Sequence, residues 1–149
     1  MAAGVIGLAA DHAAFELKRE LAAWLKERGW TVRDFGAHSS EAVDYPDLVV
    51  PCARALAAGE LQLAVVACGS GIGASICANK VAGVRAALCL EPDQARLSRQ
   101  HNDANCLALS GRLRSAAQNL ALLEAWLGAA FEGGRHAERV RKIHESTQC

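Results

Sequence analysis

The cysteine at position 68 and the glycine-rich turn after it are the part of this sequence best suited to chemistry. They lie in the stretch VVACGSGIGAS (65–75), where an apolar run ends at Cys68 and continues into three glycines spaced two apart. The run predicts a buried strand and residues 70–80 predict a helix, so Cys68 would end a strand just before a helix N-terminus. The partial positive charge of that terminus favours a thiolate, which can act as a base or a nucleophile. Position alone is equally consistent with a core residue at the end of the strand.

The glycines themselves allow three interpretations. The backbone N–H groups of residues 70–73 can form an anion-binding nest, or the glycines can simply make a tight turn between strand and helix. They also fit a dinucleotide fingerprint, in which Gly69, Gly71 and Ala74 hold a pyrophosphate and Glu91 binds a ribose. That fingerprint normally occupies the first strand-to-helix turn, whereas here it falls on the third. The position disfavours a nucleotide-binding module, which remains as an alternative.

Two further groups of titratable residues flank predicted strands. Asp11 and His12 follow the first strand, where Asp11 is expected to cap the next helix and His12 either donates to an anion or is solvated. His101, Asn102 and Asp103 precede the fifth strand. They offer an acid–base candidate with polar neighbours, or an ordinary polar turn.

Two arginines four residues apart begin the last predicted helix. Arg135 and Arg139 share one helical face, and guanidinium groups so placed can hold a phosphate with paired hydrogen bonds. A solvated face is the usual alternative, and a docking element for a partner protein is a third.

Strands and helices alternate along the whole chain, which predicts a parallel sheet covered on both faces. The predicted strands span residues 5–9, 31–35, 63–68, 84–90 and 106–109, and the predicted helices span 13–28, 46–58, 70–80, 92–101, 115–127 and about 135–146. Ligands of such sheets bind beyond the carboxyl ends of the strands. The chemical residues singled out above should therefore converge there.

Bulk composition narrows the classes of partner and compartment. The 149 residues suit a single domain, and 16 basic against 16 acidic residues give no global field for nucleic acid or an anionic membrane. The N-terminus does not resemble a signal peptide, and no apolar run reaches the roughly 20 residues of a membrane span, so a cytoplasmic location is expected. Six cysteines, Cys149 among them, form no C-x-x-C pair, which predicts reduced thiols and no zinc site.

Six motifs together resemble ribose-5-phosphate isomerase type B, a family that also includes allose-6-phosphate and galactose-6-phosphate isomerases. They are DHAAFELK (11–18), DYP (44–46), CGSGIG (68–73), ANK (78–80), SRQHND (98–103) and EGGRHAERV (132–140). The resemblance implies a flavodoxin- or Rossmann-like αβα sandwich and a homodimer, or a tetramer of dimers, with active sites and the last helix at the subunit interface. It also implies interconversion of ribose 5-phosphate and ribulose 5-phosphate without cofactor or metal, or of a six-carbon sugar phosphate.

The resemblance assigns roles to individual residues. Cys68 would be the base, because Ala74 stands where another branch of the family has a glutamate. Ser70 and the N–H groups of Gly71 to Gly73 would hold the enediolate oxygen, and His101, helped by Asp11, would open the sugar ring. The remaining expected contacts are Tyr45 and Asn102 at the sugar, and His12, Arg112, Arg135 and Arg139 at the phosphate. Gly69 and Ile72 are also expected to bind the substrate.

Overall fold

The alternation of strands and helices predicted from the sequence is confirmed in the computed structural model, which describes residues 3–147 and so leaves Cys149 outside. The strands are β1 (Val5–Ala10), β2 (Thr31–Asp34), β3 (Leu63–Cys68), β4 (Ala86–Leu88) and β5 (Cys106–Ser110). The helices are α1 (Phe15–Glu27), α2 (Tyr45–Ala57), α3 (Ile72–Asn79), α4 (Pro92–Asn102), α5 (Ala116–Leu127) and α6 (Arg135–Thr147). Within the described range no helix is both long and apolar enough to cross a membrane.

The five strands form one parallel sheet, as predicted, in the order β2-β1-β3-β5-β4. The flavodoxin order is 2-1-3-4-5, so here β5 lies inside and β4 forms the edge. This order places the ends of β1, β3 and β5 side by side at the centre of the sheet.

Alternate side chains of β3 enter the two layers of core. Val65 and Ala67 pack in the cluster that contains the apolar faces of α1 and α5. Val66 and Cys68 pack in the cluster that contains α2 and α3. Cys68 therefore faces α3, whose N-terminus follows it in the chain.

Several element boundaries differ from the sequence predictions for local reasons. β4 covers 86–88 instead of 84–90, because the N–H groups of Leu90 and Glu91 donate to the side chain of Gln94 and begin the cap of α4. α3 begins at Ile72 rather than residue 70, because Gly71 adopts a left-handed φ of 78°. A short 3₁₀ turn (His12–Ala14) precedes α1 where the sequence predicted the first turn of the helix.

Candidate active site

The three central strands deliver polar residues to one cleft at their carboxyl ends. Asp11 follows β1, Cys68 ends β3 and Arg112 follows β5, and the cleft they share has a volume of about 460 Å³. Its lining consists of Asp11, Tyr45, Cys68, Gly69, Ser70, Gly73, Arg112 and Leu113. Seven of these eight were predicted as site residues, and Leu113 was not.

Cys68 is set apart from the other described cysteines by its position at this cleft. Its side chain is only 6% exposed, and its sulfur accepts a hydrogen bond from the N–H of Gly71 at 3.2 Å. Burial raises the pKa of Cys52 to about 12 and that of Cys89 to about 11, so those thiols stay protonated. An N–H donor at the sulfur stabilises negative charge there, which suits Cys68 to reactivity rather than to filling space.

The loop after Cys68 is held against the end of β5. The N–H of Gly111 donates to the carbonyl of Cys68, and the N–H of Arg112 donates to the carbonyl of Gly69, both at 2.9 Å. A Cβ at Gly71 would lie 2.9 Å from the carbonyl oxygen of Leu109, so this close approach requires glycine as much as its left-handed φ does. The loop is thereby fixed relative to the sheet.

Two N–H groups of the expected anion nest already bind atoms of the same loop. Gly71 gives its N–H to the sulfur of Cys68, and Ile72 gives its N–H to the hydroxyl oxygen of Ser70 at 3.2 Å. The side chain of Ile72 is 52% exposed. At a helix N-terminus the first N–H groups have no partner within the helix, so Gly73 is the loop residue best placed to donate to a ligand.

Asp11 and Tyr45 line the cleft, and His12 lies beside them. Asp11 caps the 3₁₀ turn as predicted, its carboxylate accepting from the N–H of Ala13 at 3.0 Å. His12 lies in an adjoining cavity of about 470 Å³ that Asp11 and Tyr45 also line, and its Nδ1 lies 3.2 Å from the backbone nitrogen of Val43. Tyr45 is the first residue of α2 rather than part of the preceding loop.

A second cluster joins the end of α4 to the start of α6. The imidazole rings of His101 and His136 stack with centroids 4.3 Å apart, and Glu132 lies 4.0 Å from His101 Nε2. His136 is buried, its Nε2 has no hydrogen-bond partner, and burial and the neighbouring His101 lower its pKa. The donor atoms of these three residues lie within 4.8 Å of one another, close enough to hold a cation. The nearby charges of Arg135 and Arg139 and the N-terminus of α6 favour an anion instead.

Comparison with known proteins identifies the family. A sequence model described as "Ribose/Galactose Isomerase" matches residues 6–143. The chain belongs to the ribose/galactose isomerase family. Ribose-5-phosphate isomerase B of Escherichia coli (strain K12) is 49% identical over 138 residues, which cover 93% of each chain.

Two solved structures share the fold of this ribose/galactose isomerase. Ribose-5-phosphate isomerase B of Clostridium thermocellum is 50% identical, with 97% of each chain covered and a TM-score of 0.95. The enzyme from Mycoplasma genitalium, solved with bound ribulose-5-phosphate, is 36% identical, with 99% of each chain covered and a TM-score of 0.95. The chain is accordingly an aldose–ketose isomerase.

Within a single chain of this isomerase, seven of the fourteen predicted site residues do not line the cleft. Gly71 and Ile72 belong to the loop beside it and His12 lies in the adjoining cavity, whereas the other four lie elsewhere. His101 stacks on His136, Asn102 lines a separate groove, and neither they nor Arg135 and Arg139 line the Cys68 cleft. The residues of the dinucleotide fingerprint also lie apart from one another. Gly69 lines the Cys68 cleft, whereas the side chain of Glu91 binds Arg114 at 3.0 Å in another surface cavity.

Sequence reasoning missed the partners of two predicted residues. Glu132 and His136 lie inside the motif EGGRHAERV, yet nothing in their spacing from His101 indicates a stack between helices. Ser110 was given no role by the sequence analysis, whereas it contacts the Cys68 loop directly. The signal available was a serine at the end of the apolar run CLALS (106–110).

Proposed function

We propose that this protein interconverts ribose 5-phosphate and ribulose 5-phosphate through an enediolate, without a cofactor, using Cys68 as the base. The observation that carries the proposal is the sulfur of Cys68, which faces the cleft and accepts an N–H from Gly71 in a chain of the ribose/galactose isomerase family. The relatives named ribose-5-phosphate isomerase B support the choice of substrate.

The chemistry requires one proton to move between neighbouring carbons. The Cys68 thiolate takes the proton from C2 of the open-chain aldose, and the C2–H electron pair passes into the enediolate as negative charge develops on O1. The hydroxyl proton must also pass from O2 to O1, which places the negative charge on O2. Returning the carbon-bound proton from Cys68 to C1 then forms the C2 carbonyl of the ketose and restores the thiolate. Preorganised donors at the developing charge lower the barrier, and the Ser70 hydroxyl and the Gly73 N–H are available at the cleft.

Hydrogen-bonding side chains at the cleft suit the substrate phosphate. Arg112 lines the cleft itself and His12 lines its extension. Binding energy from the phosphate, which does not react, helps to hold the open-chain sugar in the orientation needed for proton transfer.

The remaining roles require a second copy of the chain. His101, Asn102, Arg135 and Arg139 have the chemistry for ring opening, sugar contact and phosphate binding, but they lie outside the cleft of their own chain. A homodimer in which these residues complete the partner's cleft would unite them with Cys68, with α6 at the interface. An apolar groove of about 640 Å³ beside the edge strand β4, lined by residues of α3, α4 and α6, supports an interface there.

Replacing the sulfur tests the role of Cys68. In Cys68→Ala we expect isomerisation to fall by about 10²–10⁴-fold, the typical contribution of a general base. The fold and phosphate binding should be retained, as checked by circular dichroism and by titration with ribulose 5-phosphate. Cys77→Ala is the matched control, because Cys77 is a free, partly exposed thiol that does not line the cleft. Near wild-type turnover in Cys68→Ala would remove Cys68 from the mechanism.

A substrate panel tests the sugar. We expect a higher kcat/KM for ribose 5-phosphate than for allose 6-phosphate, galactose 6-phosphate or D-erythrulose 4-phosphate. The last belongs in the panel because a D-erythrulose-4-phosphate isomerase of Pectobacterium atrosepticum is 39% identical to this chain. Preference for a four- or six-carbon substrate would keep the reaction type and change the substrate.

A further inference from the structure

We propose that Ser110 is a positioning residue that holds the Gly71 N–H against the sulfur of Cys68. Ser110 is the last residue of β5, is fully buried and pairs in register with Cys68 across the sheet. Its hydroxyl donates to the carbonyl oxygen of Ser70 at 2.5 Å. The proposal rests on the role of Cys68 given above.

The hydroxyl acts through one peptide group. The carbonyl of Ser70 and the N–H of Gly71 belong to the same planar trans peptide, so they point in opposite directions. Ser110 binds the carbonyl side of this peptide, and the N–H side points at the sulfur of Cys68, 3.2 Å from the nitrogen. Fixing the carbonyl therefore fixes the direction of the N–H.

The same contact strengthens the donor. Hydrogen bonds in a chain polarise one another, so a hydroxyl on the Ser70 carbonyl makes the Gly71 N–H a better donor to negative sulfur. Ser110 completes a series of three contacts between the two loops. The N–H groups of Gly111 and Arg112 donate to the carbonyls of Cys68 and Gly69, and the Ser110 hydroxyl donates to the carbonyl of Ser70.

Ser110 is itself anchored from behind. The side-chain amide of Asn119, a fully buried residue of α5, donates to the Ser110 carbonyl at 3.0 Å. This hydrogen bond fixes the end of β5 to α5 and so fixes the backbone of Ser110. A fixed backbone suits a hydroxyl that must hold the Ser70 carbonyl in one position.

Ser110→Ala tests the proposal by two independent readouts. The first is alkylation of Cys68 by iodoacetamide, followed by mass spectrometry of the peptide that contains it. We expect alkylation at neutral pH to slow by about three- to tenfold and its pH profile to move upward, because the thiolate is the reactive form and loses a donor. The second is kinetics, where we expect kcat to fall by a similar factor while KM changes by less than about twofold.

Two further variants separate positioning from general destabilisation. Ser98→Ala is the matched control for the alkylation rate, because Ser98 is also buried and donates to a backbone carbonyl, that of Ala95, at 2.8 Å within α4. Kinetics are compared with wild type, because Ser98 lines the groove beside β4. Ser110→Thr keeps the hydroxyl and should restore most of the alkylation rate and kcat. Thermal melts of all three check that each is folded.

The outcomes distinguish this proposal from the one on which it rests. Ser110→Ala that alkylates within about twofold of Ser98→Ala and turns over within about twofold of wild type would overturn the positioning role, since one lost hydrogen bond should change rates by more than this. Slower alkylation of Cys68 with unchanged kcat would support the positioning of the sulfur and would instead contradict the role of Cys68 as base.

Discussion

The aromatic ring of Tyr45 lies so close to Gly73 that a Cβ on Gly73 would be 2.3 Å from the ring carbon. Tyr45 begins α2 and Gly73 lies in the first turn of α3, so this contact fixes the width of the cleft between the two helices. Both residues line the cleft. The Tyr45 ring can occupy its position because Gly73 has no side chain.

Gly73→Ala should therefore damage the site more than the fold. The added methyl must displace the Tyr45 ring, and we expect kcat/KM to fall by about 10–100-fold, as misplaced positioning groups commonly cause. Gly69→Ala is the comparison, because a Cβ there meets the flexible side chain of Arg112 at 3.4 Å and the Cβ of Ala13 at an ordinary 3.7 Å. A Gly73→Ala variant that loses no more activity than Gly69→Ala would show that Tyr45 need not occupy this position.

Mixed dimers provide a direct test of a shared active site. Cys68→Ala and His101→Ala chains should each be inactive alone. After the subunits have exchanged, half of the dimers are mixed and each has one intact site, so about a quarter of wild-type activity should return. Assaying the mixture before and after exchange, with either variant alone as the control, measures this recovery. No recovery in verified heterodimers would place Cys68 and His101 in one chain's site.

Arg135→Ala should weaken binding of the substrate phosphate. Loss of a charge-assisted hydrogen bond to phosphate should raise KM, or lower kcat/KM, by about tenfold or more. Arg141→Ala is the matched control on the same helix, because Arg141 pairs with Glu138 and Glu145 on the exposed surface. Steady-state kinetics equal to wild type in Arg135→Ala would identify this helix face as merely solvated.

The sequence was sufficient for the parts of this molecule that depend on local pattern. Apolar runs and the apolar stripe of a helix can be read from residue spacing, so the strands and the parallel sheet could be predicted. The convergence of Asp11, Cys68 and Arg112 followed, because ligands of such sheets bind at the carboxyl ends of the strands. Boundaries were less certain because single contacts decide them, as the left-handed Gly71 does at the start of α3.

Relationships between distant elements could not be predicted in this way. The exchange of β4 and β5 depends on which strand buries more surface against the helices, and short apolar runs of both look alike. The stack of His101 on His136 depends on how α6 packs against α4, over a separation of 35 residues. Ser110 acts through the peptide of another strand end, which only the register of β3 and β5 reveals.

The stability contributed by His136 should depend on pH. Its pKa is lowered in the folded protein, chiefly by burial and then by the charge of His101, so the native state favours the neutral ring. This contribution is present above the ordinary histidine pKa of about 6.5 and is lost as pH falls through the lowered native value. Arg135 and Arg139 add to the lowering, and Glu132 opposes it.

Thermal melts of wild type and His136→Gln measure this effect. The Tm advantage of wild type over His136→Gln should be larger at pH 7.5 than at pH 5, because the glutamine does not titrate. His38→Gln, at an exposed histidine, is the control for replacing an imidazole with an amide. A Tm advantage that stays constant between these pH values for His136→Gln would contradict the assigned cause.

The apolar groove beside β4 should be where the second copy binds. Ile76 of α3 and Ile143 of α6 line it while 56% and 43% exposed, and exposed apolar residues that share a groove are typical of an interface. Burying a lysine charge there has a large desolvation cost, so Ile76→Lys should shift the protein from dimer to monomer in sedimentation at micromolar concentration. Activity should fall in parallel and recover as protein concentration rises, because association restores the partner's His101.

Leu97→Lys is the control, since Leu97 is 36% exposed but does not line the groove. An Ile76→Lys variant that remains a fully active dimer would place the interface elsewhere.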